Sequence, residues 1–178
     1  MAPMDDIVKA ALQKWPNVPA CHGWLGLDAR GAWYLRDEPT QQAGPFPQSR
    51  GSRIEHVKLR AFIERNYAVD AQGAAYFQNG PQRVFVSLEA APWILDVHRT
   101  AEGVQVTSHV GEAWPVIDAA WLDDAGRLFL SAPQGLGLVR SSDMDTAADM
   151  VAGGQWQPQE LPFAELIARH HIQLNPRP

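Results

Sequence analysis

A nine-residue pattern that occurs three times is the feature that most constrains the fold of this chain. It reads aliphatic residue, Asp, two free positions, Gly, two free positions, aromatic residue, apolar residue, and its copies occupy residues 27–35, 69–77 and 122–130. Asp at the first turn position accepts hydrogen bonds from amides two residues further on, and Gly at the fourth supplies the left-handed conformation that begins the returning strand. The pattern therefore predicts three tight β-hairpins whose flanking apolar residues pack on one face.

The likeness between the second and third copies extends beyond the hairpin itself. Residues 76–82 resemble residues 129–134, and each segment ends in a Pro-Gln turn that leads into another strand. Residues 100–103, Thr-Ala-Glu-Gly, form a looser version of the same turn. The recurrence favours a duplication. The copies are spaced by 42 and 53 residues, so a regular solenoid or propeller is not predicted.

Composition excludes several classes of partner. The chain has 178 residues, 46% of them hydrophobic and 20% charged, which suits one domain or two small ones. A formal net charge of −5 without a basic run argues against nucleic acid and against an anionic membrane surface. Cys21 is the single cysteine, so no internal disulfide is possible. With no signal-peptide pattern and no apolar run of membrane-spanning length, we expect a cytoplasmic protein.

Helices are predicted at the N-terminus, in the middle and at the C-terminus. The first runs to about Trp15, the second starts at the capping-box sequence Ser52-Arg53-Ile54-Glu55 and ends near Asn66, and the last opens at Pro162. Residues 37–51, rich in Pro, Gln and Gly, are predicted to form a surface loop that is either mobile or functional. Residues 175–178 are expected to fray.

The order of these signals resembles a known family. The residues that carry the resemblance are an Asp-x-x-Gly-x-Trp-Tyr hairpin, an amphipathic helix, and a Glu-x-Ala-Pro-aromatic corner: Asp28, Gly31, Trp33, Tyr34, Ile54, His56, Leu59, Phe62, Glu89, Ala91, Pro92 and Trp93. Over roughly residues 24–130 the chain is similar to an uncharacterised proteobacterial family with repeated structural motifs. The resemblance implies a C-terminal part loosely like a pleckstrin homology domain, and a role in signalling. It implies no catalytic residues.

The expected fold class is α+β. Antiparallel hairpin repeats should form a bent sheet or a partial barrel, with the amphipathic helices packed on it. Residues 1–66 are predicted to form an N-terminal helix-hairpin-helix region. Residues 67–178 are predicted to form a β-rich, pleckstrin-like region closed by a C-terminal helix.

One polar cluster is the preferred candidate for a ligand-binding site. It consists of Asn79, Gln82, Arg83 and Glu89 with Trp93, and places forked hydrogen-bonding groups at the ends of a strand beside an aromatic residue. The alternative interpretation is structural: Asn79 lies in a turn, Arg83 pairs with Glu89 or with an edge carbonyl, and Trp93 belongs to the core. No catalytic residue, metal ligand or cofactor is predicted.

Two functional hypotheses follow. The first is a non-enzymatic binding or regulatory module that recognises a small molecule or a protein segment between the repeats. The second is a small metal-dependent hydrolase built on Asp96, His98 and His109, which lie on neighbouring predicted strands. The second hypothesis requires these side chains to share one face within bonding distance of one point. The oligomeric state is not predicted.

Overall fold

The computed structural model describes residues 4–178, which form two compact units. The first unit comprises the described residues up to Ala90 together with Gln173–Pro178, and the second comprises Ala91–Ile172. Each unit contains one six-stranded sheet. Both sheets are open, because the strand at each edge has a neighbour on one side only. The fold is therefore mixed α+β, as predicted, but neither sheet closes into a barrel.

The first unit carries its sheet in the strand order β3-β2-β1-β6-β5-β4. Its elements are α1 (Asp6–Lys14), β1 (Cys21–Leu27), β2 (Trp33–Leu35), α2 (Glu38–Ala43), β3 (Ser52–Arg53), α3 (Val57–Arg65), β4 (Tyr67–Val69), β5 (Ala75–Asn79) and β6 (Gln82–Leu88). One sheet face supplies the core, because Leu25, Leu27, Val84, Val86 and Leu88 alternate along β1 and β6 and are all buried.

The second unit carries its sheet in the order β12-β9-β10-β11-β7-β8. Its elements are β7 (Trp93–Thr100), β8 (Gly103–Ser108), β9 (Ala119–Leu122), β10 (Leu128–Ala132), β11 (Gly135–Val139), α4 (Met144–Ala152), β12 (Gln159–Glu160) and α5 (Phe163–Arg169). The closing helix α5 begins directly after Pro162, where the sequence predicts it.

The two sheets share a core of five strands in corresponding order. The order β2-β1-β6-β5-β4 in the first sheet matches β8-β7-β11-β10-β9 in the second. In each, an antiparallel three-stranded meander is joined to an earlier hairpin through a parallel strand pair, β1 with β6 and β7 with β11. The prediction of purely antiparallel repeats missed this pair, because parallel pairing joins strands that are distant in sequence.

The three Asp turns have one hydrogen-bond pattern. The Oδ1 atoms of Asp28, Asp70 and Asp123 each accept from the amides two and four residues further on, at 2.8–3.0 Å. The Gly of each turn has a positive φ of 78–85°. These turns join β1 to β2, β4 to β5, and β9 to β10.

The middle helix starts later than predicted. Ser52 and Arg53 form the short strand β3, which pairs with Leu35 and Tyr34 of β2. Helix α3 begins at Val57, and His56 caps it because its Nδ1 accepts a hydrogen bond of 3.2 Å from the Leu59 amide. Residues of the capping-box sequence thus pair with the edge of the sheet as a strand and do not begin the helix.

The predicted loop 37–51 contains a helix. Asp37 caps α2 by accepting from the Thr40 amide at 3.0 Å, and Pro39 stands in the first turn, where its missing N–H is not needed. The C-terminal residues are also held in place. The Leu174 carbonyl accepts from the Leu88 amide at 2.7 Å, and Pro176 is buried.

The compact units differ from the predicted segments 1–66 and 67–178. Strands β4, β5 and β6 hydrogen-bond into the sheet that β1, β2 and β3 begin, so the first unit continues to Ala90. The sequence around residue 66 marks only the end of a helix.

Candidate functional site

The second face of the first sheet carries small residues at its centre. Gly26 of β1 pairs with Ser87 of β6, and Phe85 lies two residues before Ser87 on the same face. The Phe46 ring covers Gly26 so closely that a Cβ there would lie 2.6 Å from its Cε2 atom. This face is therefore covered by the segment 37–51 rather than by a helix of the core.

A bulge in β1 lies beside these small residues. The register between β1 and β6 shifts between Cys21 and Leu25, and Gly23 within the bulge has a φ of +85°. The His22 ring stacks on Phe85 with centroids 4.6 Å apart and planes 16° apart. Bulges redirect side chains, and this one places the imidazole against Phe85 on the same face of the sheet.

Arg36, which follows β2, is the buried cation of this region. Its side chain donates to three carbonyl oxygens, those of Ser49 at 3.0 Å, Gly23 at 2.9 Å and Gly44 at 2.8 Å. The residue is only 4% exposed, and burial lowers the pKa of its guanidinium. No carboxylate of residues 4–178 forms an ion pair with it. Arg36 thus fixes the bulge and the segment 37–51, and its charge is offset by carbonyl dipoles and by the Phe46 ring, whose centroid lies 5.9 Å from its Cζ atom.

A pocket of about 450 Å³ opens over this arrangement, within the first unit. Its polar lining consists of His22, Arg36, Gln41, Ser87, Asn175 and Arg177. None of its lining side chains is acidic, although the whole chain carries a net charge of −5. Ser87 as a residue is 4% exposed and lines the pocket, and its hydroxyl makes no hydrogen bond with any residue of the described part of the chain. The side chains of the lining therefore supply donors and the positive charges of Arg36 and Arg177. We call this pocket the Arg36 pocket.

An ion-pair network occupies the end of the parallel strands β1 and β6. Arg50 contacts Oδ2 of Asp28 at 3.3 Å and both carboxylate oxygens of Glu89 at 3.3 Å. The Tyr34 hydroxyl donates to Asp28 at 3.1 Å, and the Ala29 amide donates to Glu89 at 2.9 Å. Each of these carboxylates has its partner within the network, so the network holds the first Asp turn against β6.

Each Asp turn in fact has its own arginine. In all three, Oδ2 of the turn Asp contacts an Arg, at 3.3, 3.8 and 2.8 Å, and that Arg lies over the aromatic ring six residues after the Asp. The three sets are Asp28–Arg50–Tyr34, Asp70–Arg83–Tyr76 and Asp123–Arg127–Phe129. The aromatic position of the repeat is therefore the platform for a cation that completes the turn.

The structure separates the residues of the predicted cluster. Asn79 and Gln82 pair at the hairpin between β5 and β6, while Glu89 follows the opposite end of β6. Arg83 contacts Asp70 at 3.8 Å and lies 3.8 Å above the Tyr76 ring, so its partner is neither Glu89 nor an edge carbonyl.

Trp93 lies in the second unit, fully buried, and donates to the Gln134 carbonyl at 3.1 Å. Nothing in these placements tests ligand binding by the five residues, which stays a prediction.

The residues of the hydrolase hypothesis have separate surroundings. Asp96 pairs with Arg140, and His98 is exposed. His109 is half-buried with its Nε2 atom shielded from solvent, and its Nδ1 accepts from the Ile94 amide at 3.1 Å. Desolvation of the ring together with the charge of Arg140 lowers its pKa to about 3. Within residues 4–178 no three His, Cys, Asp or Glu side chains approach closely enough to hold a metal ion. The structure therefore does not assemble the site that this hypothesis requires.

Sequence reasoning missed Arg36, Ser87 and Gly26. Their signal is weak, because a lone Arg, a Ser in a strand and a Gly in a strand each have common structural roles. The long Pro-rich segment 37–51 was the available pointer, since it was predicted to be mobile or functional, and it walls the pocket through Gln41, Gly44 and Pro45.

Fold and site together define a two-unit α+β protein with repeated sheets and a donor-lined pocket in its first unit. The chain belongs to the family DUF2944, described as "Protein of unknown function (DUF2946)", whose model matches residues 4–175. This confirms the expected membership of a family of unknown function, over more of the chain than residues 24–130. No curated protein is significantly similar to it.

Two solved structures are similar to this fold. The crystal structure of a DUF1285 family protein from Silicibacter pomeroyi DSS-3 matches with a TM-score of 0.54 and 14% identity, covering 84% of this chain and 78% of that one. A DUF1285 family protein from Shewanella baltica OS155 has a TM-score of 0.49 and 14% identity, covering 71% and 91%. At this identity the first likeness shows a shared fold alone. No helix within residues 4–178 is both long and apolar enough to span a membrane.

Proposed function

We propose that the chain is a binding module with a regulatory role, and that the Arg36 pocket takes a small anion. The observation that carries the proposal is the state of Arg36. It is a buried guanidinium that lines a pocket, and among residues 4–178 its hydrogen-bond partners are three carbonyl oxygens.

A buried charge without a counter-ion is unusual, because the transfer of an ion from water into a protein interior typically costs several kcal/mol. Carbonyl dipoles offset part of this penalty, and an entering carboxylate or phosphate would offset more. A guanidinium has five N–H donors in a fixed fork, and three of those of Arg36 are used. Two donors remain for an anion.

The rest of the pocket suits the same ligand. The Ser87 hydroxyl, the side-chain amides of Gln41 and Asn175, and the exposed Arg177 all line it, and each can donate to an anionic oxygen. A volume of about 450 Å³ lies within the range typical of small-molecule sites. We expect Arg36 to bind the charged end of the ligand and the remaining walls to accommodate its body.

Binding is preferred over catalysis because of how Ser87 and His22 are arranged. Both line the pocket, but no hydrogen bond joins them, and the Ser87 hydroxyl contacts no base among residues 4–178. A serine nucleophile needs an adjacent base to remove its proton. Arg36 for its part is a donor and a fixed charge, which are properties of a ligand clamp.

Two finer features of this proposal rest on the sequence resemblance. One is a role in signalling. The other is a pleckstrin-like character of the C-terminal part, whose support is limited to the hairpins of β7–β11 followed by α5. Recognition of a protein segment through Asn79, Gln82, Arg83, Glu89 and Trp93 stays a separate and weaker proposal.

The test is an NMR titration of the full chain with acetate and with inorganic phosphate, which are small enough to enter the pocket. We expect saturable shifts of the Gly23, Ser87 and Asn175 amides and of the Arg36 Nε–H. Arg177→Gln should weaken the binding by about three- to tenfold, because it removes one charged donor from the wall.

Arg53→Gln is the matched control, since Arg53 is exposed on β3 and does not line the pocket. It makes the same change of charge and should leave the affinity unaltered. If neither anion produces saturable shifts at these positions, or if Arg53→Gln weakens binding as much as Arg177→Gln, the proposed anion site is wrong.

A further inference from the structure

We propose that the ligand of the Arg36 pocket carries a planar aromatic ring, which stacks on the His22 imidazole. This inference rests on the proposed anion site and adds the chemical class of the ligand, an aromatic acid. It comes from the geometry of His22 rather than from that of Arg36.

The His22 ring is held in one orientation. Phe85 covers one of its faces, with centroids 4.6 Å apart and planes 16° apart. Tyr76 supports Phe85 in turn, with centroids 6.4 Å apart and planes at 65°. Arg83 lies 3.8 Å above the Tyr76 ring, so the row of aromatic side chains is fixed at its far end as well. A ring fixed in this way loses little freedom when a second ring stacks on it.

The residue that carries this ring also lines the pocket. His22 is half-buried and lines the Arg36 pocket, whereas Phe85 does not line it. The imidazole face that Phe85 leaves uncovered is therefore the one that we infer a ligand ring to contact. A planar group placed there would extend the existing stack by one ring, in the offset geometry that aromatic pairs prefer.

Anion and ring sites are linked by the bulge. Gly23, the neighbour of His22, accepts from Arg36 through its carbonyl at 2.9 Å, so one short segment positions both groups. The Ser87 hydroxyl lies on the same sheet face as Phe85, two residues away. A molecule whose anionic group is attached directly to a ring can therefore reach both the Arg36 donors and the imidazole face.

The test compares benzoate with cyclohexanecarboxylate, using the NMR titration described above at one fixed pH. The two carboxylates have the same number of carbon and oxygen atoms and the same charge, and they differ in the planarity of the ring. We expect benzoate to bind about three- to tenfold more tightly, the ratio typical of one aromatic pair. His22→Ala should abolish this preference, and His22→Phe should retain it.

The outcomes separate the two proposals. Equal affinity for both carboxylates would overturn the stacking inference while leaving the anion site in place. Binding of acetate and phosphate with no gain for benzoate would do the same. If none of the four anions binds, the anion site and the stacking inference both fail. A benzoate preference that survives in His22→Ala would place the ring elsewhere and would also overturn the inference.

Discussion

The two units share a strand order, but the residues at the centre of their parallel strand pairs differ. The pairs can be aligned because the Glu89 amide donates to the Leu27 carbonyl, and the Arg140 amide donates to the Leu95 carbonyl, each at 3.0 Å. In that alignment Gly26 and Ser87 of the first unit correspond to Ile94 and Leu138 of the second: Gly26 pairs with Ser87, and Ile94 with Leu138.

This difference explains why the Arg36 pocket lies where it does. Ile94 is 0% and Leu138 4% exposed, so in the second unit large side chains fill the position. In the first unit the corresponding pair is small, and Phe46 and the pocket take up the space. The same topology can thus hold either a solid core or an open pocket at this position, and the size of two side chains distinguishes the two units.

The charged residue that follows the second strand of each pair differs too. Arg140 in the second unit pairs directly with Asp96. At the corresponding position the first unit has Glu89, a second acid beside Asp28, and Arg50 from the segment 37–51 bridges them. The segment 37–51 therefore supplies in the first unit a cation that the second unit carries directly after its strand β11.

The largest expected effect comes from making the second unit resemble the first. Leu138→Ala removes a buried side chain and should lower the free energy of unfolding by about 2–5 kcal/mol, the transfer and cavity terms together. Ser87→Ala, the corresponding change in the first unit, should alter it by about 0.5 kcal/mol or less, because its hydroxyl makes no hydrogen bond within residues 4–178. Urea-induced unfolding, followed by hydrogen exchange, measures the change in the free energy of unfolding of both variants.

Hydrogen exchange also assigns each loss to a unit. The amides of residues 91–172 should lose protection in Leu138→Ala, and those of the first unit should not. Similar losses for Leu138→Ala and Ser87→Ala would contradict the idea that one position is core and the other is pocket.

A second and smaller difference should appear on acidification. Desolvation of the half-buried His109 ring lowers its pKa from 6.5 to about 3, so the folded protein keeps the ring neutral. When the pH falls below the pKa of the histidine in the unfolded chain, the unfolded chain binds a proton that the folded chain does not. The free energy of unfolding therefore decreases as the pH is lowered. Between pH 7 and pH 5 the loss from this group should be about 2 kcal/mol.

His109→Gln isolates this group, because an amide oxygen can accept the Ile94 hydrogen bond without titrating. The variant should show a flatter dependence of stability on pH between 7 and 5, whatever its absolute stability. An unchanged slope would mean that His109 gains a proton without loss of the fold, and that its burial is not the source of acid sensitivity.

Local chemistry explains which parts of the fold could be predicted. The hairpins followed from Asp and Gly spacing, because each turn is closed by atoms within five residues of one another. Helices α1 and α5 were also predicted from local sequence, although the side chain of neither N-cap residue forms a capping hydrogen bond. Strand β3 and the parallel pairs did not, because their partners lie far away in sequence and no local signal encodes that pairing.

The candidate site was out of reach for the same reason. The carbonyl partners of Arg36 lie 13 residues before it and 8 and 13 residues after it, and a further part of the pocket wall comes from Asn175 and Arg177. The sequence showed polar residues with several hydrogen-bonding groups near a hairpin. These residues suggested a site at Arg83 and Glu89, whose charges are already paired. Arg36 differs from these residues because no carboxylate of the described residues forms an ion pair with it. Only the three-dimensional structure reveals this.

The smallest expected effect comes from the reverse change, making the first unit resemble the second. In Gly26→Ala the new Cβ would lie 2.6 Å from the Phe46 ring, so the ring must move. We expect a loss of about 1–2 kcal/mol in the free energy of unfolding, which is typical of overpacking by one methyl group. Because the site lies between sheet and segment 37–51, the Arg36 Nε–H signal should shift as well.

A double-mutant cycle decides whether Phe46 is the cause. Phe46→Leu should be destabilising by itself, but Gly26→Ala added to Phe46→Leu should cost less than Gly26→Ala in the native background, because the smaller side chain leaves room for the methyl group. Strict additivity would show that Gly26 is needed for some reason other than the approach of Phe46. In that case the small pair Gly26 and Ser87 would not be what keeps the first unit open, and the contrast with Ile94 and Leu138 would lose its explanation.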